Sequence, residues 1–284
     1  MIAPLRNPRR CLLFVPGSRP ERYAKAVATG ADQVCIDLED AVAPADKESA
    51  RASLFAFLAG GHESHSEIGL RINPLSTALG QADLKALAAS GLTPAFVMLP
   101  KVETVAELQQ ADAALAAVDT VFIAQIETPK GLLDARALAI AIPRLQALMF
   151  GGFDYIVALR GRAGWESFFH PRVQLATIAA EAGVGCLDVP YLDIKDEAGL
   201  ISETDRVIDL GFTAKAAIHP GQVEPIQSRY LPTAAEYDRA QRVIAALAAS
   251  GGEALQLDGK LVDRPIEIAA ERAIALGAHG VRAG

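Results

Sequence analysis

Three carboxylates follow a single apolar run in the segment VCIDLEDAV, residues 34–42. Asp37, Glu39 and Asp40 stand so close together in the chain that their charges repel one another. A buried carboxylate is also costly unless a cation or hydrogen bonds offset its charge. We therefore expect a positive partner near this segment, and the candidates are Arg71, Lys101 and a bound metal ion.

Two further carboxylates have the type and position of metal ligands. Glu127 and Asp154 each end an apolar run, TVFIAQIE and ALMFGGFD. Mg²⁺ commonly takes one or two carboxylates and fills its octahedron with water and substrate oxygens, so this pair predicts a magnesium site. Glu127 also has a second interpretation, because Thr128 and Pro129 behind it form an ordinary helix start. No group of His or Cys residues has the spacing of a zinc site.

A basic stretch, RPERYAK, occupies residues 19–25. Arg19, Arg22 and Lys25 lie three apart and would share one face of a helix. Beside a helix N-terminus such a face suits phosphate groups. A solvated basic surface explains the same spacing equally well. The role of His219 also has two interpretations, because this residue could act as a base or could fix the loop before the proline that follows it.

These side chains need a scaffold, and the apolar pattern predicts one. Short apolar runs alternate with helix-like segments, which is typical of a parallel sheet. Eight such units predict an α/β fold, a (β/α)₈ TIM barrel. An open doubly wound sheet is the alternative, although no GxGxxG motif follows the first run. The runs are CLLFV (11–15), QVCIDLE (33–39), IGLRIN (68–73), AFVMLP (95–100), TVFIAQIE (120–127), ALMFGG (147–152), VGCLDV (184–189) and AKAAIH (214–219).

The rest of the chain is longer than a barrel requires. We predict a TIM-barrel catalytic domain over residues 1–230 and a C-terminal helical extension over residues 231–284. The segment TAAEYDRAQRVIAALAAS has the pattern of a helix with Thr233 as its cap. This extension could be a lid or an arm that contacts a neighbouring subunit.

Polar side chains collect at the predicted strand ends. Active sites of TIM barrels lie where the carboxyl ends of the strands meet. Side chains alternate along a strand, so Cys35, Asp37 and Glu39 should point into the barrel, with Glu39 nearest its mouth. The pattern therefore predicts an active site at this end. The strand-end residues are Asp37, Glu39, Asp40, Arg71, Asn73, Lys101, Glu127, Asp154, Asp188 and His219.

Composition narrows the class of protein. The net charge of −7 argues against nucleic acid as a partner, since phosphate binding favours a basic surface. The three cysteines lie in apolar runs without CxxC spacing, which predicts buried, reduced thiols and a cytoplasmic protein. No apolar run approaches the roughly 20 residues that span a bilayer, so we expect no membrane partner.

Several motifs in the same order resemble one family over residues 9 to 276. They are LFVPGSRPERYAKA, VCIDLEDAV, LRIN, QIETPKG, and GFTAKAAIHPGQVEPI followed by LPTAAEYDRAQRVI. This pattern resembles the citrate lyase β-subunit-like (HpcH/HpaI aldolase/citrate lyase) family, which includes malyl-CoA and citramalyl-CoA lyases. The resemblance implies a barrel that binds Mg²⁺ and acts on CoA thioesters or hydroxy acids.

The resemblance also implies roles for individual residues. Glu127 and Asp154 resemble the family's metal ligands, and Arg71 resembles the residue that holds the carboxylate or carbonyl of the substrate. Glu39 and Asp40 resemble an acidic pair beside the metal. Arg19, Arg22 and Lys25 fall where the family grips the phosphates of CoA. Asp263, in GKLVDRP, matches an aspartate that enters the site of a neighbouring subunit, which implies a homo-oligomer, typically a trimer.

The sequence departs from the family pattern after the metal aspartate. Relatives often carry a second aspartate four residues on, where this chain has Ala158, and the segment 160–172 is unusual as well. The chain has no recognisable acyl-carrier segment, so we expect a free-standing protein outside a citrate lyase complex.

We therefore expect a Mg²⁺-dependent carbon–carbon lyase that acts on a short 3-hydroxyacyl-CoA. A thioesterase on the same site, an aldolase on free hydroxy-oxo acids and a non-catalytic regulatory subunit are the alternatives.

Overall fold

The computed structural model describes residues 9–62, 64–251 and 253–282. The parts of the two predicted domains that fall on residues 1–8, 63, 252, 283 and 284 lie outside the described residues. The chain divides into two compact units, Arg9–Ile226 and the segment from Gln227 onward. The domain boundary at residue 230 stays a prediction.

Eight parallel strands close into a barrel in chain order, with the first strand paired to the eighth. This confirms the predicted (β/α)₈ TIM barrel, and each of the eight apolar runs contributes one strand. The strands are β1 (Cys11–Pro16), β2 (Gln33–Asp37), β3 (Glu67–Arg71), β4 (Phe96–Leu99), β5 (Val121–Ile126), β6 (Leu145–Phe150), β7 (Gly185–Asp188) and β8 (Ala214–Ala217).

Helices follow the strands and cover the barrel. They are α1 (Tyr23–Val27), α2 (Lys47–Ala59), α3 (Ala78–Ser90), α4 (Val105–Ala114), α5 (Pro129–Ala139), α6 (Gly152–Ala158), α7 (Trp165–Ala182), α8 (Glu197–Asp209) and α9 (Val223–Arg229). The helix start predicted behind Glu127 is present, since the Thr128 hydroxyl accepts a hydrogen bond from the backbone N–H of Gly131 at 3.0 Å. The proline at the first position needs no backbone donor there.

Apolar side chains that point inward fill the barrel. Cys35 lies among them, as the alternation along β2 predicts, and its neighbours come from every strand except β3. Both faces of a parallel barrel strand are buried, one in this interior and one under the helices. Because the interior is apolar and buried, the polar side chains that could take part in a reaction lie at the strand ends. The interior cluster is Leu12, Cys35, Phe96, Met98, Ile123, Met149, Leu187, Ala214 and Ala216.

The second unit has two long helices and a hairpin. Helix α10 (Ala234–Ala249) packs against helix α11 (Arg264–Gly277), and the antiparallel strands β9 (Leu255–Leu257) and β10 (Lys260–Val262) lie between them in the chain. Thr233 caps α10 as predicted, by accepting from the backbone N–H of Glu236 at 3.2 Å. The extension is therefore helical with one short hairpin. No helix among the described residues is long and apolar enough to cross a membrane.

Candidate active site

A cleft of about 290 Å³ opens at the carboxyl ends of the barrel strands. Its polar wall includes Asp37 and Asp40 from the end of β2, Arg71 from the end of β3 and Asp154 from the segment after β6. Its apolar wall is formed by side chains from β1, β6, α6 and the segments after β7 and β8. Phe14, Met149, Phe153, Val189, Pro190 and Ile218 belong to this apolar wall.

Arg71 is the positive partner that the carboxylates after β2 need. Its Nε and Nη2 donate to the two carboxylate oxygens of Asp37 at 2.7 and 2.6 Å, which is a bidentate pair. Its Nη1 lies 2.9 Å from Glu39 Oε2. The guanidinium also lies over the ring of Phe14, 5.1 Å from the centroid. Burial alone would disfavour the charge, but Asp37 outweighs it and raises the pKa of Arg71.

Lys101 is the second cation that contacts the carboxylates after β2. Its Nζ donates to Glu39 Oε1 at 2.6 Å and lies 3.4 Å from Asp40 Oδ2. Burial nevertheless raises the pKa of Glu39 above its ordinary value, against the opposing effects of Arg71 and Lys101. The sequence named both cations as candidates, and the structure brings both to Glu39.

A buried lysine stabilises the loop that carries these carboxylates. The Nζ of Lys47 donates to the backbone oxygens of Leu38 and Glu39 at 2.7 and 2.6 Å. Sequence reasoning missed this residue, because a lysine in the first turn of a helix ordinarily faces solvent. Its two bonds fix the direction in which the chain leaves β2.

Glu127 lies fully buried beside the cleft with both oxygens engaged. Oε1 accepts from the backbone N–H of Lys101 at 2.7 Å, and Oε2 accepts from Nε2 of Gln125 at 2.7 Å. The Gln125 Oε1 accepts in turn from Arg71 Nη1 at 3.3 Å. Gln125 thus links the carboxylate to the arginine, and the alternation along β5 could have placed it on the same face as Glu127.

Electrostatics at Glu127 favour a bound cation. Burial, with smaller contributions from the nearby carboxylates of Glu39 and Asp154, raises the pKa of Glu127 to about 8. Asp154 lines the cleft from the first turn of α6 and is exposed. Two carboxylates whose charges act on one another, one buried and one exposed to the cleft, are the ligand type that Mg²⁺ prefers. No set of three or more His, Cys, Asp or Glu side chains among the described residues is arranged to hold a metal, so a zinc-type site does not fit.

The basic residues after β1 are exposed. Arg19 precedes a 3₁₀ turn, Arg22 ends it, and Lys25 lies in the short helix α1. The α-helix therefore starts at Tyr23, later than the motif suggests. Arg22 has a weak ion pair with Glu21 at 3.8 Å, so its charge stays available for an anion.

Two residues predicted at the mouth of the barrel lie elsewhere. Asp188 points outward from β7 and is fully buried between Arg172 and Lys215, with contacts of 2.8 and 2.7 Å. The expectation that it faces the cleft is wrong, because Leu187 takes the inward position on that strand. Asn73 is also buried, and it donates to Asp83 Oδ2 at 2.6 Å.

The structure favours the structural interpretation of His219. Its Nδ1 accepts from the backbone N–H of Gly221 at 3.1 Å and begins the turn after β8. Ala158 ends α6 and is exposed, so no carboxylate replaces the family's second aspartate at that position. In the unusual segment 160–172, Trp165 lies between the guanidinium groups of Arg172 and Arg206, 4.9 and 3.5 Å from its ring centroid.

Asp263 belongs to the second unit, at the N-cap position of α11. An aspartate there ordinarily accepts a hydrogen bond from the first turn of its helix. The Asp263 side chain makes no such capping bond. Helix capping therefore does not account for this aspartate, and its place in the site of a neighbouring subunit stays a prediction.

Comparison with known proteins places the chain among carbon–carbon lyases and their relatives. The model of the family described as HpcH/HpaI aldolase/citrate lyase matches residues 10–220. Citrate lyase subunit beta of Leuconostoc mesenteroides subsp. cremoris is 32% identical over 94% of this chain and 93% of its own length. An L-malyl-CoA/beta-methylmalyl-CoA lyase and a (3S)-malyl-CoA thioesterase, both of Cereibacter sphaeroides, are 31% and 35% identical. The lyase alignment covers 92% of each chain, and the thioesterase alignment covers 95% of this chain and 94% of the relative.

A solved structure shares the fold over nearly the whole chain. The protein CitE from Mycobacterium tuberculosis, in complex with magnesium, acetoacetate and coenzyme A, superposes with a TM-score of 0.80 at 32% identity. The match covers 96% of this chain and all of that one.

Proposed function

The chain belongs to the HpcH/HpaI aldolase/citrate lyase family, and we propose that it is a Mg²⁺-dependent carbon–carbon lyase. Its substrate is a short 3-hydroxyacyl-CoA thioester of the malyl-CoA or citramalyl-CoA type, which it cleaves to a 2-oxo acid and an acyl-CoA. The observation that carries this proposal is the hydrogen-bonded link from Arg71 through Gln125 to Glu127 beside the cleft, with Arg71 and Asp154 on the cleft wall.

Glu127 and Asp154 would hold the Mg²⁺ ion. The ion supplies Lewis-acid polarisation of a substrate oxygen and a template for the bound oxygens. Glu127 is oriented for this purpose by the Lys101 backbone and the Gln125 amide, which each occupy one oxygen and leave further lone pairs free. The solved structure of CitE from Mycobacterium tuberculosis is in complex with magnesium, which supports Mg²⁺ as the cation.

Arg71 would hold the carboxylate of the substrate. Asp37 uses the Nε hydrogen and one Nη2 hydrogen of Arg71, and the second Nη2 hydrogen is the donor proposed for an anion. Because Asp37 fixes the plane of the guanidinium, the arginine loses little freedom when it binds. The apolar wall of Phe14 and Phe153 limits water around the reacting atoms.

Cleavage requires one proton to leave and another to arrive. A base removes the proton of the substrate hydroxyl, the carbon–carbon bond breaks, and its electron pair moves into the thioester as an enolate. Asp40 lines the cleft and can accept the first proton, whereas both oxygens of Glu39 face cations. The acid for the enolate carbon is Asp263 of a neighbouring subunit, in a homotrimer, and the missing capping bond of this residue supports that role.

The CoA group would use the basic residues after β1. Arg19, Arg22 and Lys25 are exposed within one turn-and-helix segment, and their charges match the phosphates of CoA. The free cysteines support a cytoplasmic location for this enzyme.

Thioester hydrolysis on the same site is the second candidate. It is favoured by the relative named (3S)-malyl-CoA thioesterase, at 35% identity. Such an enzyme would release free CoA and leave the carbon chain intact.

A product assay separates the two activities. The protein is incubated with MgCl₂ and malyl-CoA or citramalyl-CoA, 2-oxo acid is followed as its phenylhydrazone, and free thiol is titrated in parallel. A lyase produces 2-oxo acid without free thiol, and a thioesterase produces the reverse. Glu127→Ala serves as the control and should lose both Mg²⁺ binding and turnover. A folded wild-type protein that consumes neither thioester in the presence of Mg²⁺ would count against both.

A further inference from the structure

Lys101 has a strained backbone at the edge of the cleft. Its φ of 53° lies in the left-handed region, where the described residues include three non-glycine residues, Lys101, Arg160 and Asp258. The side chain of an L-residue crowds the carbonyl oxygen in this conformation, which costs free energy. Such conformations persist where surrounding contacts impose them, and they concentrate at functional sites.

The left-handed turn directs the two ends of Lys101 to different carboxylates. The backbone N–H reaches Glu127 Oε1 at 2.7 Å, while the ammonium reaches Glu39 Oε1 at 2.6 Å and lies 3.4 Å from Asp40. One residue thus contacts the proposed metal ligand and the proposed acidic pair. Among the residues that the structure describes, Lys101 is the cation that pairs with Asp40.

We propose that Lys101 is a positioning residue with two separable functions. Its backbone fixes Glu127 for the cation, and its ammonium keeps Glu39 and Asp40 from competing for that cation and from repelling an anionic substrate. This inference rests on the proposed function, since it assumes that Glu127 and Asp154 hold Mg²⁺.

The charges at the cleft predict how the affinities for Mg²⁺ and for an anionic substrate should change when Lys101 is replaced. Five carboxylates surround the cleft, and Arg71 is already paired with one of them in a bidentate contact. Without the ammonium the local potential becomes more negative. A divalent cation then binds more tightly and an anionic substrate binds more weakly. A residue with a merely structural role would weaken both when it is replaced. The five carboxylates are Asp37, Glu39, Asp40, Glu127 and Asp154.

The test measures both affinities by titration calorimetry. MgCl₂ is titrated into the wild-type protein and into Lys101→Met, and pyruvate is then titrated at saturating MgCl₂. We expect Mg²⁺ to bind Lys101→Met about 5- to 10-fold more tightly and pyruvate about 5- to 10-fold more weakly, from loss of one charge within several ångströms. Lys101→Arg keeps the charge and should restore both affinities toward wild type.

A glycine substitution isolates the backbone. Lys101→Gly also lacks the ammonium, but it adopts the left-handed conformation without strain and retains the N–H donor to Glu127. It should show the same opposite changes in affinity and melt at a higher temperature than Lys101→Met. Arg160→Gly and Arg160→Met provide the matched pair, because Arg160 has a φ of 58° in an exposed loop. They should reproduce the difference in melting temperature between glycine and methionine.

Three outcomes with the Lys101 variants overturn the inference. Parallel weakening of Mg²⁺ and pyruvate binding in Lys101→Met would show a structural role, and unchanged affinities would show no role. A Lys101→Gly variant that melts no higher than Lys101→Met, while the Arg160 pair does differ, would remove the argument from strain.

Glu127→Ala keeps this test independent of the proposed function. If that variant retains Mg²⁺ affinity, the proposed metal site is wrong and the inference about Lys101 is overturned with it. If wild-type protein binds Mg²⁺ but cleaves no thioester, opposite changes in the Lys101 variants still support the inference while the lyase proposal fails.

Discussion

Gly151 offers a direct test of how tightly the proposed metal ligand is positioned. A Cβ atom added at this residue would lie 2.3 Å from Cβ of Glu127, 2.7 Å from its Oε2 and 3.2 Å from Nε2 of Gln125. The φ of −97° is open to any residue, so Gly151→Ala introduces no backbone strain. The change therefore acts through close contact with the Glu127 side chain and, less tightly, with its hydrogen-bond partner Gln125.

The size of the effect follows from these distances. Ordinary contact begins near 3.4 Å, so Glu127 must move by about 1.1 Å (3.4 − 2.3) or the barrel end must widen. Overpacking of this kind costs about 1–3 kcal/mol, which lowers the melting temperature by roughly 2–10 °C. Displacing a ligand and its hydrogen-bond partner typically costs about 10- to 100-fold in metal affinity.

The assay combines calorimetry with MgCl₂, thermal melting and turnover of the thioester. Gly164→Ala is the control, because no atom lies within 4 Å of its added Cβ and its φ of 172° is extended backbone. We expect this control to bind Mg²⁺ like the wild-type protein. Wild-type Mg²⁺ affinity and turnover in Gly151→Ala would refute the assignment of Glu127 as a closely held ligand.

Four other predictions concern the ion network, the cysteines, the CoA site and the subunit contact. Asp188→Asn removes one of the two carboxylates, with Glu203, that compensate the buried cations Arg172 and Lys215. Unfolding should cost up to about 3–5 kcal/mol less and the melting temperature should fall, with Mg²⁺ affinity unchanged. A loss of Mg²⁺ affinity would place Asp188 in the site after all. Burial raises the pKa of all three cysteine thiols. In the native protein they should therefore stay protonated and unreactive toward a disulfide reagent at pH 8, and they should react fully after unfolding in guanidinium. Rapid labelling of the native protein would contradict this. Replacing Arg22 and Lys25 together by alanine should raise KM for the CoA thioester at least about tenfold and leave Mg²⁺ affinity unchanged; an unchanged KM would favour a substrate without CoA. Asp263→Asn and Glu127→Ala should each lower the turnover rate by a factor of about 10²–10⁴. If each site takes Glu127 from one subunit and Asp263 from its neighbour, oligomers reassembled from equal amounts of the two variants should recover about a quarter of wild-type activity. No recovery in mixed oligomers would argue that the sites are not shared.

Local pattern was enough to find the strands and several caps. Each apolar run became a strand because a short β-rich segment between polar turns has few other ways to bury its side chains. Thr128 with Pro129 and Thr233 each began a helix where the sequence placed it, since a cap depends on residues within one turn.

Local pattern failed where the face of a strand had to be known. Asp188 was expected at the cleft, yet it lies under the helices beside Arg172 and Lys215. Both faces of a parallel barrel strand are buried, so alternation gives two equivalent sets of positions and does not say which set points inward. Only the pairing with neighbouring strands decides this.

The sequence by itself determined the fold class and the residue types available for chemistry. Carboxylates and cations at the strand ends are readable because their positions follow from the strands. The tertiary structure decided which of them meet: that Arg71 pairs with Asp37, that Lys101 joins Glu39 to Glu127, and that Gln125 links Arg71 to Glu127. Apart from the Gln125–Glu127 bond, these contacts join residues 26 to 62 positions apart. Distances of 2.6 to 3.3 Å across such separations depend on strand register and barrel closure, which no local pattern contains.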